Sequence, residues 1–180
     1  MQRFDSYRLV PCWGFVVAAA LFGCGDDAAD DGATGFSDDT TCGATLALSG
    51  ALELRVPPSR TNVACATQTS FDSGIDAGFL FVDSELSHAD LEVDDVLEGE
   101  TGTAFAARLT IVHEDGREWS AQSCTAEIIE HEHVGPGDLG WERYRVVGSV
   151  SCEAAPSDPP GTAPEVDVES FLFVATISWG

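Results

Sequence analysis

From Thr45 the apolar positions recur every second residue: Leu46, Leu48, Leu52, Leu54 and Val56 share one face, and Thr45, Ser49, Glu53 and Arg55 share the other. A period of two is the signature of a half-buried β-strand. Pro57-Pro58 ends it, because proline brings no N–H to a ladder and fixes its own φ. A second strand is predicted over residues 62–69, carrying Cys65. A third over 78–82 follows the Asp72-Ser73-Gly74 turn. Over 84–98 a helical stripe competes, with Leu86, Ala89, Val93, Val96 and Leu97 on one side and Gly99 as a cap. Strand plus loop is the better reading. Asp94, Asp95 and Glu98 would crowd acid onto the negative end of a helix dipole, and Leu91 and Val93 also alternate.

The clearest hairpin lies between Phe105, Ala107, Leu109 and Ile111 on one arm and a return strand from Trp119 through Cys124 to His131, joined at Glu114-Asp115-Gly116-Arg117. Asp-Gly between alternating runs favours a tight turn. A two-residue turn sets Val112 opposite Trp119 and His113 opposite Glu118; a one-residue bulge sets Ile111 there instead. Trp119 is expected in the core. A last pair follows, with Tyr144, Val146, Val150 and Cys152 on one face and Phe171, Phe173, Ala175 and Ile177 on one face of its partner. A proline-rich loop over 154–164 joins them. Short alternating strands with turns throughout predict an all-β fold, an antiparallel β-sandwich or partly closed barrel of about seven or eight strands.

Residues 1–24 break this pattern. Arg3 and Arg8 precede an uncharged apolar run over 13–22. That run is shorter than the roughly 20 residues a membrane-spanning helix needs and fits the core of a secretory signal. It stops at Leu21-Phe22-Gly23-Cys24, which resembles the lipobox of bacterial lipoproteins. The resemblance implies cleavage before Cys24, a diacylglycerol on its thiol, and attachment to a membrane of the cell envelope, periplasmic or surface-facing. Each buried methylene contributes about 0.8 kcal/mol, so two or three acyl chains anchor a domain stably.

The expected organisation is a signal over 1–23, an acidic tether over 24–41 and a β domain over 42–180. The stretch 25–41 holds six aspartates and three glycines, with Phe36 its one large apolar residue. A flexible chain of that length spans about 20–25 Å. The pattern of Asp26, Asp27, Asp30 and Asp31 lacks the alternating ligands and closing Glu of a calcium loop.

The whole chain carries 31 acidic residues against 8 basic ones, all arginine, for a net charge of −23. Such a surface repels polyanions and anionic lipid headgroups, which excludes nucleic acid as a partner. Setting aside Cys12 in the signal and Cys24, four cysteines remain. An even number in an exported chain predicts two disulfides, of three pairings that sequence cannot separate. Sequential pairing, Cys42–Cys65 and Cys124–Cys152, closes loops worth about 3–4 kcal/mol each by chain entropy. A four-thiol zinc site lacks any C-x-x-C pair.

Candidate chemistry is sparse. In Glu130-His131-Glu132-His133 a strand would put His131 and His133 on one face, a chelating pair for a divalent metal with no third ligand in view. The competing reading is a charged, solvated strand end that resists edge pairing. Trp141, Arg143 and Arg145 place two arginines and an indole on one strand, a patch for an acidic or glycan ligand. Gly135-Pro136-Gly137-Asp138-Leu139-Gly140 matches G-x-G-x-x-G in letters only, because a strand rather than a helix follows. No G-x-S-x-G occurs, and no catalytic residue is assigned. The sequence thus points to a lipid-anchored envelope protein with a non-catalytic binding or structural role. Its expected partners are the bilayer, through Cys24, and an envelope protein or glycan. An envelope metal-binding module using His131 and His133 is the first alternative, and a hydrolase the next.

Overall fold

The computed structural model describes residues 35–58, 63–70, 73–152, 155, 157–158 and 164–180. The leader with Cys24, the stretch 25–34 and most of the proline-rich connection lie outside them. The described chain is ten strands and one 3-10 turn: β1 (Gly43–Gly50), β2 (Leu54–Val56), β3 (Val63–Ser70), β4 (Ile75–Phe81), β5 (Leu86–Val93), β6 (Gly102–His113), β7 (Glu118–Pro136), β8 (Glu142–Cys152), β9 (Ser157–Asp158) and β10 (Val166–Trp179), the turn being Asp138–Gly140.

The all-β expectation holds, and the strand count rises for a local reason. The run over 45–56 is two strands, because Gly50 adopts φ +87° and reverses the chain, pairing Leu46 with Val56 and Leu48 with Leu54. The apolar alternation continues through the turn and conceals it. β9 is the other addition, a two-residue strand beside Glu118 and Trp119. The 114–117 hairpin takes the bulged form. His113 N–H donates to the Arg117 carbonyl, Gly116 stands at φ +87°, and Ile111 rather than Val112 lies opposite Trp119.

Successive hairpins β3 to β8 form a strongly curled antiparallel sheet, which β10 brings back on itself. β10 pairs with β8 from Phe171↔Val150 to Trp179↔Glu142, and on its other edge with β1 from Val174↔Gly43 to Val166↔Gly50. Where β1 ends, β3 takes over the same edge of β10 in parallel, over Ser178↔Thr69 and Trp179↔Ser70. The result is a partly closed barrel whose weakest seam is those two pairs. The Cys42–Cys65 disulfide ties β1 to β3 beside that seam, and Cys124–Cys152 ties β7 to β8 where they pair directly, with Cα atoms 4.1 Å apart.

Inward positions carry the core. Phe79, Leu91, Leu109, Ile111, Trp119, Ile128, Val146, Phe171, Phe173 and Ile177 are all but inaccessible to solvent. Phe79 meets Phe171 edge to face at 5.6 Å between ring centres, a favoured aromatic geometry. The Trp119 indole N–H, which would be orphaned in this core, donates to the Pro164 carbonyl at 3.0 Å. Charged residues lie on the outer face, so the described barrel is apolar inside and polar outside, the reverse of a lipid-facing barrel.

Packing also reaches residues upstream of Cys42. Phe36 is buried on the outer face of the sheet against Val147 and Val174, with Leu172 alongside. Arg145, only 6% exposed, fastens this segment by donating to the carbonyls of Thr40 (3.0 Å) and Ser37 (3.4 Å) while paired with Glu130.

Candidate functional site

The β7–β8 hairpin projects at one end of the barrel, and the sequence-derived site residues divide between its two sides. On the inner side, His131 and His133 flank Tyr144 of β8, which pairs with His133 in register. The rings form one cluster: His131 to Tyr144 at 5.1 Å, His131 to Trp179 at 5.0 Å, and His133 to Tyr144 at 5.2 Å. The loop between β5 and β6 closes over it. Val96 is fully buried there, with its carbonyl bonded to Gly74 N–H.

His131 binds that loop with both ring nitrogens. Nδ1 lies 2.9 Å from the Glu100 carbonyl, which can only accept, so Nδ1 carries the proton. Nε2 is then the acceptor for Gly99 N–H at 3.4 Å. Burial lowers the imidazole pKa, opposed by the Glu100 carbonyl and the charges of Glu98 and Glu100. The lone pair a metal would use is thus already directed at the backbone. His133 Nε2 faces Glu142 at 2.7 Å. Among the described residues no three His, Cys, Asp or Glu side chains gather in a metal-binding group. Tyr144 donates its hydroxyl to Glu98, which pushes the phenol pKa up to about 12. Nothing in the spacing of Glu98 and Tyr144 signals this bond, because they are 46 positions apart.

On the outer side, Trp141 and Arg143 remain together and Arg145 does not join them, being buried beneath residues 36–41. Pro136, Gly137, Asp138, Leu139, Trp141, Arg143 and Ser178 line a groove of about 310 Å³. Its floor is built by close approach. A methyl group on Gly137 would sit 3.0 Å from the Arg143 stem, and one on Gly180 would sit 2.6 Å from the Trp141 ring. Arg55, Arg108, Arg117 and Arg145 each pair with a carboxylate, whereas Arg143 has no such partner among the described residues and is exposed. Leu139 at the rim is 96% exposed and stands at φ +60°, a left-handed conformation that a branched apolar residue rarely adopts. The sequence marked this stretch as a turn. That the turn presents a leucine was not legible from its glycines.

No family model matches the chain, and no curated protein or solved structure was found to match it. Its functional reading therefore rests on its own geometry.

Proposed function

We propose that the protein is a lipid-anchored envelope binding module, exported under its leader and held to a membrane through acylated Cys24. Its groove around Leu139, Trp141 and Arg143 takes a partner bearing an anionic group, such as an acidic glycan. The observation that carries this reading is Arg143. In a chain of net charge −23, a guanidinium with no carboxylate partner among the described residues sits beside an indole and a strained, exposed leucine. Arginine and tryptophan dominate the energetics of recognition surfaces, and backbone strain concentrates at functional sites. The two disulfides fit a domain working in an oxidising compartment. No helix among the described residues is long and apolar enough to cross a membrane, and acylation would supply attachment without one.

Intact mass of the membrane-extracted protein tests the anchor. The expected species starts at Cys24 with a diacyl or triacyl adduct and shows four thiols only after reduction. Tryptophan fluorescence titration with oligogalacturonate, against neutral maltooligosaccharide, tests the groove. The acidic sugar should give a saturable response that Arg143→Ala removes. An unlipidated mass sinks the anchor, and a response indifferent to Arg143 sinks the groove.

A further inference from the structure

Strand β7 outruns the ladder on one of its edges. β6 pairs with it only from Glu118 to Ile128, whereas β8 follows it from Cys124 to Pro136. Over residues 129–136 the edge turned away from β8 has no strand beside it among the described residues. The chain preceding Gly102, which would have continued β6 along that edge, instead bends at Asp95 (φ +58°) and Gly99 (φ +73°) toward the barrel mouth. It meets β7 through the His131 ring, and among the described residues no backbone bond to residues 129–136 is made from that side. Register shifts at 128/130 and 133/135 interrupt β7 here, and between them alternate N–H and C=O groups of residues 130–133 face outward, a template for another strand.

Two further features bear on what would pair there. Ile129 and Val134 on the strand and Leu97 in the adjoining loop are three of the six large hydrophobic residues exposed among the described residues. The edge is also acidic, with exposed Glu132 on the strand and exposed Glu98 in the loop. Two copies of this edge pairing with one another would bring glutamates into opposition, and like charges across a ladder are destabilising. The carboxylates thus work against self-addition while suiting a strand of opposite charge.

We propose that residues 129–136 of β7 form a strand-addition site for an extended cationic segment of a partner protein. The segment's backbone completes the ladder. Glu132 and Val134, two positions apart, share a face, so the segment's basic side chain beside Glu132 and its aliphatic side chain over Val134 are also two positions apart. This edge faces away from β8 and shares only Pro136 with the lining of the Arg143 groove; Arg143→Ala, which removes the groove's guanidinium, leaves the edge in place, so the two readings stand or fall separately.

The test is amide hydrogen exchange on the full disulfide-bonded chain with three short synthetic peptides at about 0.15 M salt, where surface charge is largely screened beyond roughly 8 Å. One, the Val/Lys peptide, carries lysine and valine in turn at every second position with threonine between them, so that lysine and valine share a face. The second has the same side chains with every amide N-methylated, and the third has glutamate for lysine. The Val/Lys peptide should slow exchange within 129–136 about tenfold or more, while the other two bind at least about tenfold more weakly. Glu132→Lys should weaken the Val/Lys peptide to a similar degree, with the unbound variant's exchange pattern unchanged elsewhere. Equal binding of the N-methylated peptide, protection spread over the acidic surface, or no protection at 129–136 would each overturn the assignment.

Discussion

His131 and Gly99 hold one another across the barrel mouth, the backbone N–H donating to Nε2 at 3.4 Å. Because the Glu100 carbonyl fixes the proton on Nδ1, a second proton would have to displace Gly99. Burial lowers the pKa from its usual 6.5, so between the folded value and 6.5 the unfolded chain binds more protons than the folded one. Stability from this group is complete above about 6.5 and is lost as pH falls toward the folded value. His131→Phe removes the titration while keeping an aromatic ring against Tyr144 and Trp179. The gap in Tm between wild type and His131→Phe should shrink as pH falls from about 7.5 to about 5. A gap independent of pH would mean that His131 is not held neutral.

Gly148 lies opposite Phe173 in the β8–β10 ladder. A methyl group there would stand 2.7 Å from both the Phe173 ring and the Glu127 carbonyl oxygen. The ring is walled in by Phe79 and Phe171, and the carbonyl belongs to a paired strand, so neither can retreat. Gly148→Ala should destabilise the fold by about 1–3 kcal/mol through overpacking. The urea midpoint reports it, with Ser149→Ala as a control expected within about 0.5 kcal/mol of wild type.

How much of this was legible beforehand follows from range. Strands β4 to β7 were legible because alternation is local and their turns carry Gly and Asp. The reversal at Gly50 was not, since Leu52 and Val56 keep the phase of Leu46. The double pairing of β10 lay out of reach, because residue pattern does not name a ladder partner across the chain. Arg143 and Arg145 look alike in sequence, two positions apart on one strand. They part company only because residues 36–41 fold back over one of them, from 105 positions away in the case of Thr40. The His131–His133 pair was visible as a pair, but the actual partners of His131, Gly99 and Glu100, come from a loop with no distinguishing motif.

Leu139 separates stability from function. A non-glycine residue in the left-handed region costs about 1–2 kcal/mol, and glycine's added freedom in the unfolded chain returns about 0.5–1 of that. Leu139→Gly should therefore leave the domain equally stable or more stable by up to about 1 kcal/mol. If the groove is the recognition surface, the same variant should lose its response to oligogalacturonate. A variant both less stable and fully responsive would assign Leu139 to turn geometry alone.

The last relationship fastens the segment upstream of Cys42 to the sheet. Arg145 joins β8 to the Thr40 and Ser37 carbonyls and to Glu130, and Phe36 packs only on the outer face that this clamp covers. Arg145→Met keeps the aliphatic stem and removes every donor, leaving two carbonyls and a half-exposed carboxylate to find water. Since those acceptors lie near the surface, the loss should be about 1–3 kcal/mol rather than the larger cost of a fully buried broken pair. Arg145→Lys should fall between, because one ammonium cannot span three acceptors as a guanidinium fork does. Limited proteolysis provides the readout. Wild type should resist cleavage within 36–41, Arg145→Met should be cut there while the barrel stays intact, and equal resistance in both would show that Phe36 alone seats the segment.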